Sequence, residues 1–268
     1  MKMQLFLEEL EKYGTLSFTI KEACESLGKD KKYVSRMIHV FKKKGAIISP
    51  IKGFYIIIPL EHRLLGSLPP EELVVLSMRH LQIPYYAGLL TAAAYHGATH
   101  QRLRVFQVVT SNRISKEWIF GDVWISFIHK KDVSHVVVKN KKFENGYLPV
   151  STPEETAKDV MTYYRQCGGL NHQATVLAEL AGAINTRELV SLAKRSGKLF
   201  WVQRMGYILE NIDTFYKKER DKVVYALEKF LSTQKLRYVP LAPEIPTKDK
   251  PRNKKWKIIE NTTVESDV

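Results

Sequence analysis

The sequence predicts an α+β protein whose elements follow one another in three blocks. The first sixty residues carry amphipathic helical patterns followed by a short β-hairpin pattern. Runs rich in Val, Ile and aromatic residues, typical of a small sheet, occupy much of 104–150. Apolar residues at helical spacing continue from 154 to 231. We therefore expect a small N-terminal domain followed by a mixed domain with a small sheet and a C-terminal helical bundle.

Two helices are predicted in the first thirty residues. The apolar face of the first is formed by Phe6, Leu7 and Leu10. This helix ends at Gly14. The second begins at Thr19, which forms a Thr-x-x-Glu capping box with Glu22, and ends at Gly28. Its inward face repeats at i, i+3, i+4 and i+7 in Ile20, Ala23, Cys24 and Leu27.

Residues 31–45, KKYVSRMIHVFKKKG, predict a third helix with one apolar and one basic side. The apolar side consists of Val34, Met37, Ile38 and Phe41. Two strands follow at 47–48 and 54–58, with a break at 50–53 between them. The pattern is thus a helix, a short turn, a basic helix and a hairpin. This order predicts a winged helix-turn-helix. In this motif the second helix of the pair enters the major groove of DNA.

The exposed side of this third helix is predicted to bind DNA. The candidates for base contacts lie near its N-terminus: Lys31, Lys32, Tyr33, Ser35, Arg36 and His39. Arg36 is the best candidate for a bidentate contact to guanine. The candidates for phosphate contacts lie late in the helix and at the tip of the wing: Lys42, Lys43, Lys44 and Lys52. Two alternatives stay open, namely a basic face that is merely solvated and a winged helix that contacts only proteins.

The middle of the chain mixes helix and strand signals. Residues 68–72, LPPEE, predict a linker into a helix, and the apolar stretch 85–95, YYAGLLTAAAY, predicts a buried helix. Strand patterns occur at 104–110, 123–128, 136–138 and 147–150. Thr152 as N-cap, with Pro153 and Glu155 in the first turn, predicts a strong helix start. Further helical patterns occur at about 154–166, 172–183, 186–196, 199–211 and 214–231.

These patterns predict three segments. Residues 1–62 are the winged helix-turn-helix domain, 63–238 the mixed domain, and 239–268 a tail. In the tail, prolines alternate with lysines and the last residues are acidic. That composition predicts a flexible segment or one ordered by a partner.

Composition narrows the class of partner. The net charge of +14 and the pI of about 9.6 favour a polyanion, either nucleic acid or an anionic membrane surface. No run approaches the length of a transmembrane helix, and three Glu among the first eleven residues do not suit a secretory signal. Cys24 and Cys167 make no disulfide framework, so we expect a reducing cytoplasm.

Signals for catalysis are weak. The sequence contains no phosphate-binding GxxxxGK[ST] loop and no GxSxG elbow. His96 and His100 have the spacing of a helical zinc pair, but the Glu of HExxH is missing and Gly97 lies between them, so a packing or turn role is favoured for His96. Nothing in the sequence indicates a base for Cys167. We expect no enzyme activity, no metal and no cofactor.

Several blocks, in order, resemble the AbiEi antitoxins of type IV toxin–antitoxin, or abortive-infection, systems. The blocks are 85–98 (YYAGLLTAAAYHGA), 150–156 (VSTPEET), 167–169 (CGG) and 204–210 (RMGYILE). With the winged helix in front, the resemblance covers roughly residues 5–230. One departure is 158–161 (KDVM), where the family has a more apolar run before the Asp.

The resemblance implies two activities, both in a bacterial or archaeal cytoplasm at the nucleoid. Such proteins repress their own operon by binding inverted repeats in its promoter through the winged helix. Their C-terminal domain counteracts a nucleotidyltransferase-like toxin encoded next to them, and the two proteins need not form a stable complex. Other hypotheses are a stand-alone winged-helix regulator whose helix at 85–95 lines a ligand pocket, and an enzyme such as a nuclease fused to a DNA reader.

A second basic stretch lies outside the winged helix. Residues 98–142 contain nine Lys or Arg and only three Asp or Glu. The candidate residues for this surface are Arg102, Arg104, Arg113, Lys130 and Lys131. Three interpretations of this surface stay open. It extends the DNA footprint, it contacts the RNA or nucleotide that the toxin uses, or it is an ordinary solvated surface.

Overall fold

The computed structural model describes residues 2–99, 103–114 and 117–266. These residues form a mixed α+β structure with ten α-helices and several sheets. They divide into two compact units. The first unit comprises the described residues within 1–86, 104–135 and 140–149, and the second those within 87–103, 136–139 and 150–268. None of the helices in the described part of the chain combines the length and the apolar character that a membrane span requires.

The first unit begins with three helices and a three-stranded antiparallel sheet. The elements are α1 (Met3–Lys12), β1 (Ser17–Thr19), α2 (Ile20–Leu27), α3 (Lys31–Lys43), β2 (Ile47–Ile51) and β3 (Phe54–Ile57). The strand order in the sheet is β1-β3-β2. The core between the helices and the sheet includes Phe6, Phe18, Leu27, Val34 and Ile38, which are the inward positions of the predicted helical patterns and of β1.

The second helix starts where its capping box was predicted. The Thr19 backbone N–H donates to the Glu22 carboxylate at 2.6 Å, and the Glu22 N–H donates to the Thr19 hydroxyl at 3.3 Å. Gly28 ends the helix in the left-handed region at φ 61°, where a side chain would be strained. These two local signals fix both ends of the helix that precedes α3.

The hairpin is longer than predicted. The predicted break at 50–53 shrinks to a turn at Lys52 and Gly53, because Pro50 and Ile51 continue β2. A proline is tolerated there because β2 is an edge strand, whose outward N–H groups need no partner. Gly53 turns the chain with φ 82°.

The rest of the first unit adds a helix and further strands. These elements are α4 (Pro70–Leu81), β5 (Phe106–Thr110), β6 (Glu117–Phe120) and β7 (Val123–His129). Strand β7 runs parallel to β5 and antiparallel to β6. Phe54 of β3 stacks on His80 of α4 with ring centroids 4.1 Å apart, so the predicted boundary at residue 62 falls inside this unit. The functional division at that residue stays a prediction.

The prediction of one helix over 85–95 is wrong for its first residues. Residues Tyr85–Ala87 form strand β4, Gly88 precedes the helix, and α5 spans Leu89–Tyr95. Ala87 pairs with Val150 of a parallel strand, and this pairing over a long sequence separation outweighs the local helical preference. The predicted burial is confirmed, since Tyr86, Leu89 and Ala92 are all at most 1% exposed.

Strands β8 (Val138–Phe143) and β9 (Gly146–Ser151) lead into the helices of the second unit. The helices are α6 (Pro153–Thr162), α7 (Leu170–Leu180), α8 (Thr186–Ser196), α9 (Phe200–Asn211) and α10 (Lys217–Leu231). Thr152 is the N-cap of α6 as predicted, but its side chain makes no capping hydrogen bond. Buried Glu154 instead accepts the Asn185 N–H at 2.7 Å, which links the start of α6 to the start of α8.

The C-terminal segment is ordered, contrary to the expectation of a flexible tail. It contains β10 (Val239–Pro240), β11 (Arg252–Asn253) and β12 (Ile258–Ile259), and these strands form one small sheet. Trp256 and Ile258 are 0% exposed. A few large apolar residues therefore anchor a segment whose average composition, rich in Pro and Lys, is typical of disorder.

Candidate nucleic-acid interface

Helix α3 is held by an apolar face and by a side-chain cap. Val34 and Ile38 are buried at 0% and 2% exposure, while Met37 and Phe41 are partly buried against the same core. The Asp30 carboxylate accepts the Tyr33 N–H at 2.6 Å and caps the helix. These contacts fix which side of α3 faces outward.

The predicted base-reading residues all lie on that outward side. Each of the following is exposed: Lys31, Lys32, Tyr33, Ser35, Arg36 and His39. Tyr33 is 40% exposed, and the ammonium of Lys29 lies 5.9 Å from the centre of its ring. Within the described residues, the cations of this group have no carboxylate within ion-pair distance. Their charge is therefore available to an external anion.

The predicted phosphate-binding residues are exposed as well. Lys42 and Lys43 lie in the last turn of α3, Lys44 follows as its C-cap, and Lys52 lies at the tip of the hairpin. The ammonium of Lys44 lies 5.6 Å from the centre of the Phe41 ring, which is a cation–π contact within the same helix end. In the described part of the chain none of these four lysines forms an ion pair.

Sequence reasoning missed one residue of this surface. Val40 is 42% exposed, although it is apolar. It lies seven positions after Tyr33 and four after Arg36, so at 3.6 residues per turn it shares their side of α3. On a helix that lies in the major groove, apolar side chains contact the methyl group of thymine. The signal was present, because Val40 is the apolar residue that departs from the inward spacing of 34, 37, 38 and 41.

Most described candidates for the second basic surface are exposed. Arg102 lies outside the described residues. The guanidinium of Arg104 lies 5.7 Å from the centre of the Trp124 ring, and the Lys130 ammonium donates to the Tyr86 hydroxyl at 2.9 Å. Arg104 is nevertheless exposed, whereas Lys130 is half-buried. The remaining candidates, Arg113 and Lys131, are exposed.

The residues considered for other chemistry have packing roles where the structure describes them. The Nε2 atom of His96 lies 2.7 Å from the Ser151 carbonyl oxygen, while His100 lies outside the described residues. Across the described ranges, no group of three His, Cys, Asp or Glu has the arrangement of a metal site. Cys167 is buried, and this burial raises the pKa of its thiol, which disfavours the thiolate.

Comparison with solved structures shows the fold. The chain is similar to the RV2827C protein from Mycobacterium tuberculosis, with a TM-score of 0.66 and 14% identity over 98% of this chain and 90% of that one. A weaker likeness, with a TM-score of 0.31 and 9% identity, is to the antibiotic-resistance factor ANT(2'')-Ia, over 46% of this chain and 88% of that one. This second likeness carries no argument.

Comparison with sequence families identifies the central part of the chain. No curated protein matches it in sequence. Residues 86–211 match the family model of the AbiEi antitoxin C-terminal domain. This stretch contains nearly all of the four blocks quoted from the sequence, and it runs from β4 to the end of α9. It supports an antitoxin role in an abortive-infection system, and residues 86–211 are similar to the C-terminal domain of the AbiEi antitoxins.

Proposed function

We propose that the protein is a DNA-binding autorepressor and type IV antitoxin that counteracts a nucleotidyltransferase-like toxin. The observation that carries the DNA-binding half is the outward side of α3. It presents Lys31, Lys32, Arg36, Lys42 and Lys43 without ion pairs among the described residues. Such cations replace the counterions of DNA phosphates, which drives binding to duplex DNA.

The order of elements supports a winged helix-turn-helix. Helices α2 and α3 are separated by a turn of three residues, and the hairpin of β2 and β3 follows. In this motif the N-terminal half of the second helix contacts base edges, and the wing contacts the backbone. The chain has one such α3 in its described residues, so a promoter with inverted repeats would bind two copies, with half-sites about 34 Å apart or a multiple of it.

The antitoxin half rests on the matched domain of residues 86–211. The toxin is proposed to be a nucleotidyltransferase-like protein, antagonised without a requirement for a stable complex. In the second unit, α5 packs against α6, and Ala92 and Ala93 are 0% exposed. Core packing therefore accounts for the apolar stretch at 85–95, and the hypothesis of a ligand pocket lined by it gains no support.

Arg36→Ala is expected to weaken binding to the promoter by about 1–3 kcal/mol and to relax the sequence preference. The reason is that a bidentate contact from Arg36 to guanine would be lost. Lys43→Ala is the matched control on the same helix, because a lost phosphate contact weakens specific and random DNA alike. Fluorescence anisotropy measures the affinity of each variant for a labelled promoter duplex and for a shuffled duplex. An equal loss on the two duplexes for Arg36→Ala would remove its assignment as a base reader.

The double variant Arg36→Ala, Lys43→Ala is expected to lose repression but keep antitoxin activity. The physical reason is that both side chains are exposed on α3, outside the matched domain, and neither supports the core. Repression is read from a promoter–reporter fusion, and antitoxin activity from growth of cells that co-express the neighbouring nucleotidyltransferase-like gene. If the double variant has the unfolding temperature of the wild type and toxicity still returns, part of the antitoxin activity lies in the winged helix.

A further inference from the structure

Helices α8 and α10 of the second unit enclose an open groove that the proposed repressor function does not use. Its volume is about 600 Å³. The floor is formed by Val190, Ala226 and Phe230, of which Phe230 is buried at 8% exposure. The rim carries three exposed cations, Arg187, Lys194 and Lys229.

These three rim cations have no carboxylate partner within the described residues. No Asp or Glu lines the groove itself. An adjoining cavity of about 330 Å³ shares Arg187 with the groove, and there Glu219 lies together with Lys222. The groove is therefore cationic along its length, with partial neutralisation only at the end where Glu219 lies.

The other carboxylates of the two helices are engaged elsewhere. Glu228 pairs with Lys255 at 2.9 Å, and Asp221 pairs with Arg220 at 2.8 Å. Glu188 lines a different cavity, beside the start of α6. The groove lining thus carries cations without carboxylates, although both helices carry acidic residues in sequence.

Exposed aromatic rings accompany these cations. Tyr225 lines the groove and is 66% exposed. Lys218, Lys222, Tyr225 and Lys229 are spaced by four, three and four residues and so form one stripe on α10, here called the α10 stripe. Phe215, in the turn immediately before α10, is 84% exposed. Exposed rings beside cations are the combination on which proteins stack the bases of an unpaired strand and hold its phosphates.

We propose that the α10 stripe and the groove beside it bind single-stranded nucleic acid. A duplex presents no base face to Tyr225, whereas an unpaired strand stacks its bases on exposed aromatic rings and places its phosphates on neighbouring cations. An acidic protein segment would match the charge, but Tyr225 and Phe215 stand out from the surface instead of forming an enclosed apolar pocket. The binding is expected to depend little on sequence, because every base has a stacking face.

The test uses the full-length protein and a labelled oligouridine of about twelve nucleotides, within the usual range of single-strand site sizes. Tyr225→Ala is expected to lower the affinity at least about fivefold through the lost stacking contact. Lys222→Glu with Lys229→Glu is expected to lower it further and to reduce the slope of log affinity against log salt by about 1.4. Lys248→Glu with Lys250→Glu is the control of equal charge change, on exposed residues of the C-terminal segment.

The outcomes separate this proposal from the repressor function. Binding of the promoter duplex is expected to stay unchanged in the α10 stripe variants, because that contact is assigned to α3. An oligothymidine of equal length distinguishes RNA from single-stranded DNA as the ligand, because only oligouridine offers a 2′-hydroxyl. The proposal is also overturned if the stripe variants bind oligouridine like the control variant. Loss of antitoxin activity in Tyr225→Ala with unchanged oligouridine binding would point to a protein contact instead.

Discussion

Replacement of Lys42, Lys43 and Lys44 together by alanine is expected to weaken promoter binding about 10²-fold at a salt concentration near 0.15 M. All three side chains are exposed and have no ion pair in the described part of the chain. If each neutralises one phosphate, each releases about 0.9 counterion, and the slope of log affinity against log salt falls by about 2.7. Titrations of a labelled promoter duplex at several salt concentrations measure both quantities.

Two control variants make this result interpretable. The triple change of the same lysines to arginine keeps the charge and is expected to keep most of the affinity. Lys235, Lys248 and Lys250 are exposed lysines far along the chain, and their triple change to alanine alters the net charge equally. If the distant triple variant weakens binding as much as the α3 variant, the effect comes from net charge and not from contacts of α3.

A loss of helix stability is the competing explanation for the α3 variant. Lys42 and Lys43 lie in the last turn of α3, where positive charge stabilises the helix by about 0.3–1 kcal/mol per residue. Lys44 also contacts the ring of Phe41. Thermal unfolding of each variant therefore accompanies the binding titrations. An unchanged salt slope in a well-folded triple variant would show that these lysines do not meet phosphates.

The helices of the N-terminal region could be predicted because their signals are local. The capping box of Thr19 and Glu22, the left-handed Gly28 and the apolar spacing in α3 each act within one or two turns. The helices α8 and α9 were predicted nearly to the residue for the same reason. The outward residues of α3 followed directly, because they are the complement of its apolar face.

The errors occur where distant residues decide the structure. Strand β4 forms because Ala87 pairs with Val150, which lies far along the chain. Strand β6 was not predicted at all, and its register is set by β7, with Trp118 opposite Ile125. The contacts of Arg104 with Trp124 and of Lys130 with Tyr86 likewise join residues that no local pattern places side by side.

The sequence block at 204–210 acquires a physical explanation from the C-terminal segment. The Arg204 guanidinium donates to the Pro240 carbonyl oxygen at 2.9 Å. A Cβ atom on Gly206 would lie 2.1 Å from the ring of Trp256, so only glycine leaves room for this indole. The Trp256 indole N–H donates to the Glu210 carboxylate at 2.7 Å. One face of α9 is therefore shaped to hold residues 239–261, which lie beyond the matched domain.

Trp256→Ala is expected to destabilise this attachment by about 3–5 kcal/mol, the usual cost of removing a fully buried aromatic side chain. Trp256 is 0% exposed, and its loss leaves a cavity above Gly206 and an unpaired acceptor on Glu210. Hydrogen exchange of the amides in β12 measures the effect locally, and urea unfolding measures it for the whole chain. Gly206→Ala is expected to release the same segment by overcrowding, because the added methyl group occupies the space of the indole.

The control variants distinguish the cavity from the hydrogen bond. Trp256→Phe keeps most of the ring but leaves Glu210 without the indole donor, at a cost of about 0.5–1.5 kcal/mol, because water can reach this exposed carboxylate. Burial acts to raise the pKa of Glu210, but the hydrogen bonds from Lys255 and Trp256 outweigh it and hold this pKa below its ordinary value of 4.5. The contribution of the carboxylate is therefore present above about pH 4.5 and is lost as the pH falls through the lowered pKa. Protection of β12 that is equal in the wild type and in Trp256→Ala would contradict the attachment of this segment to α9.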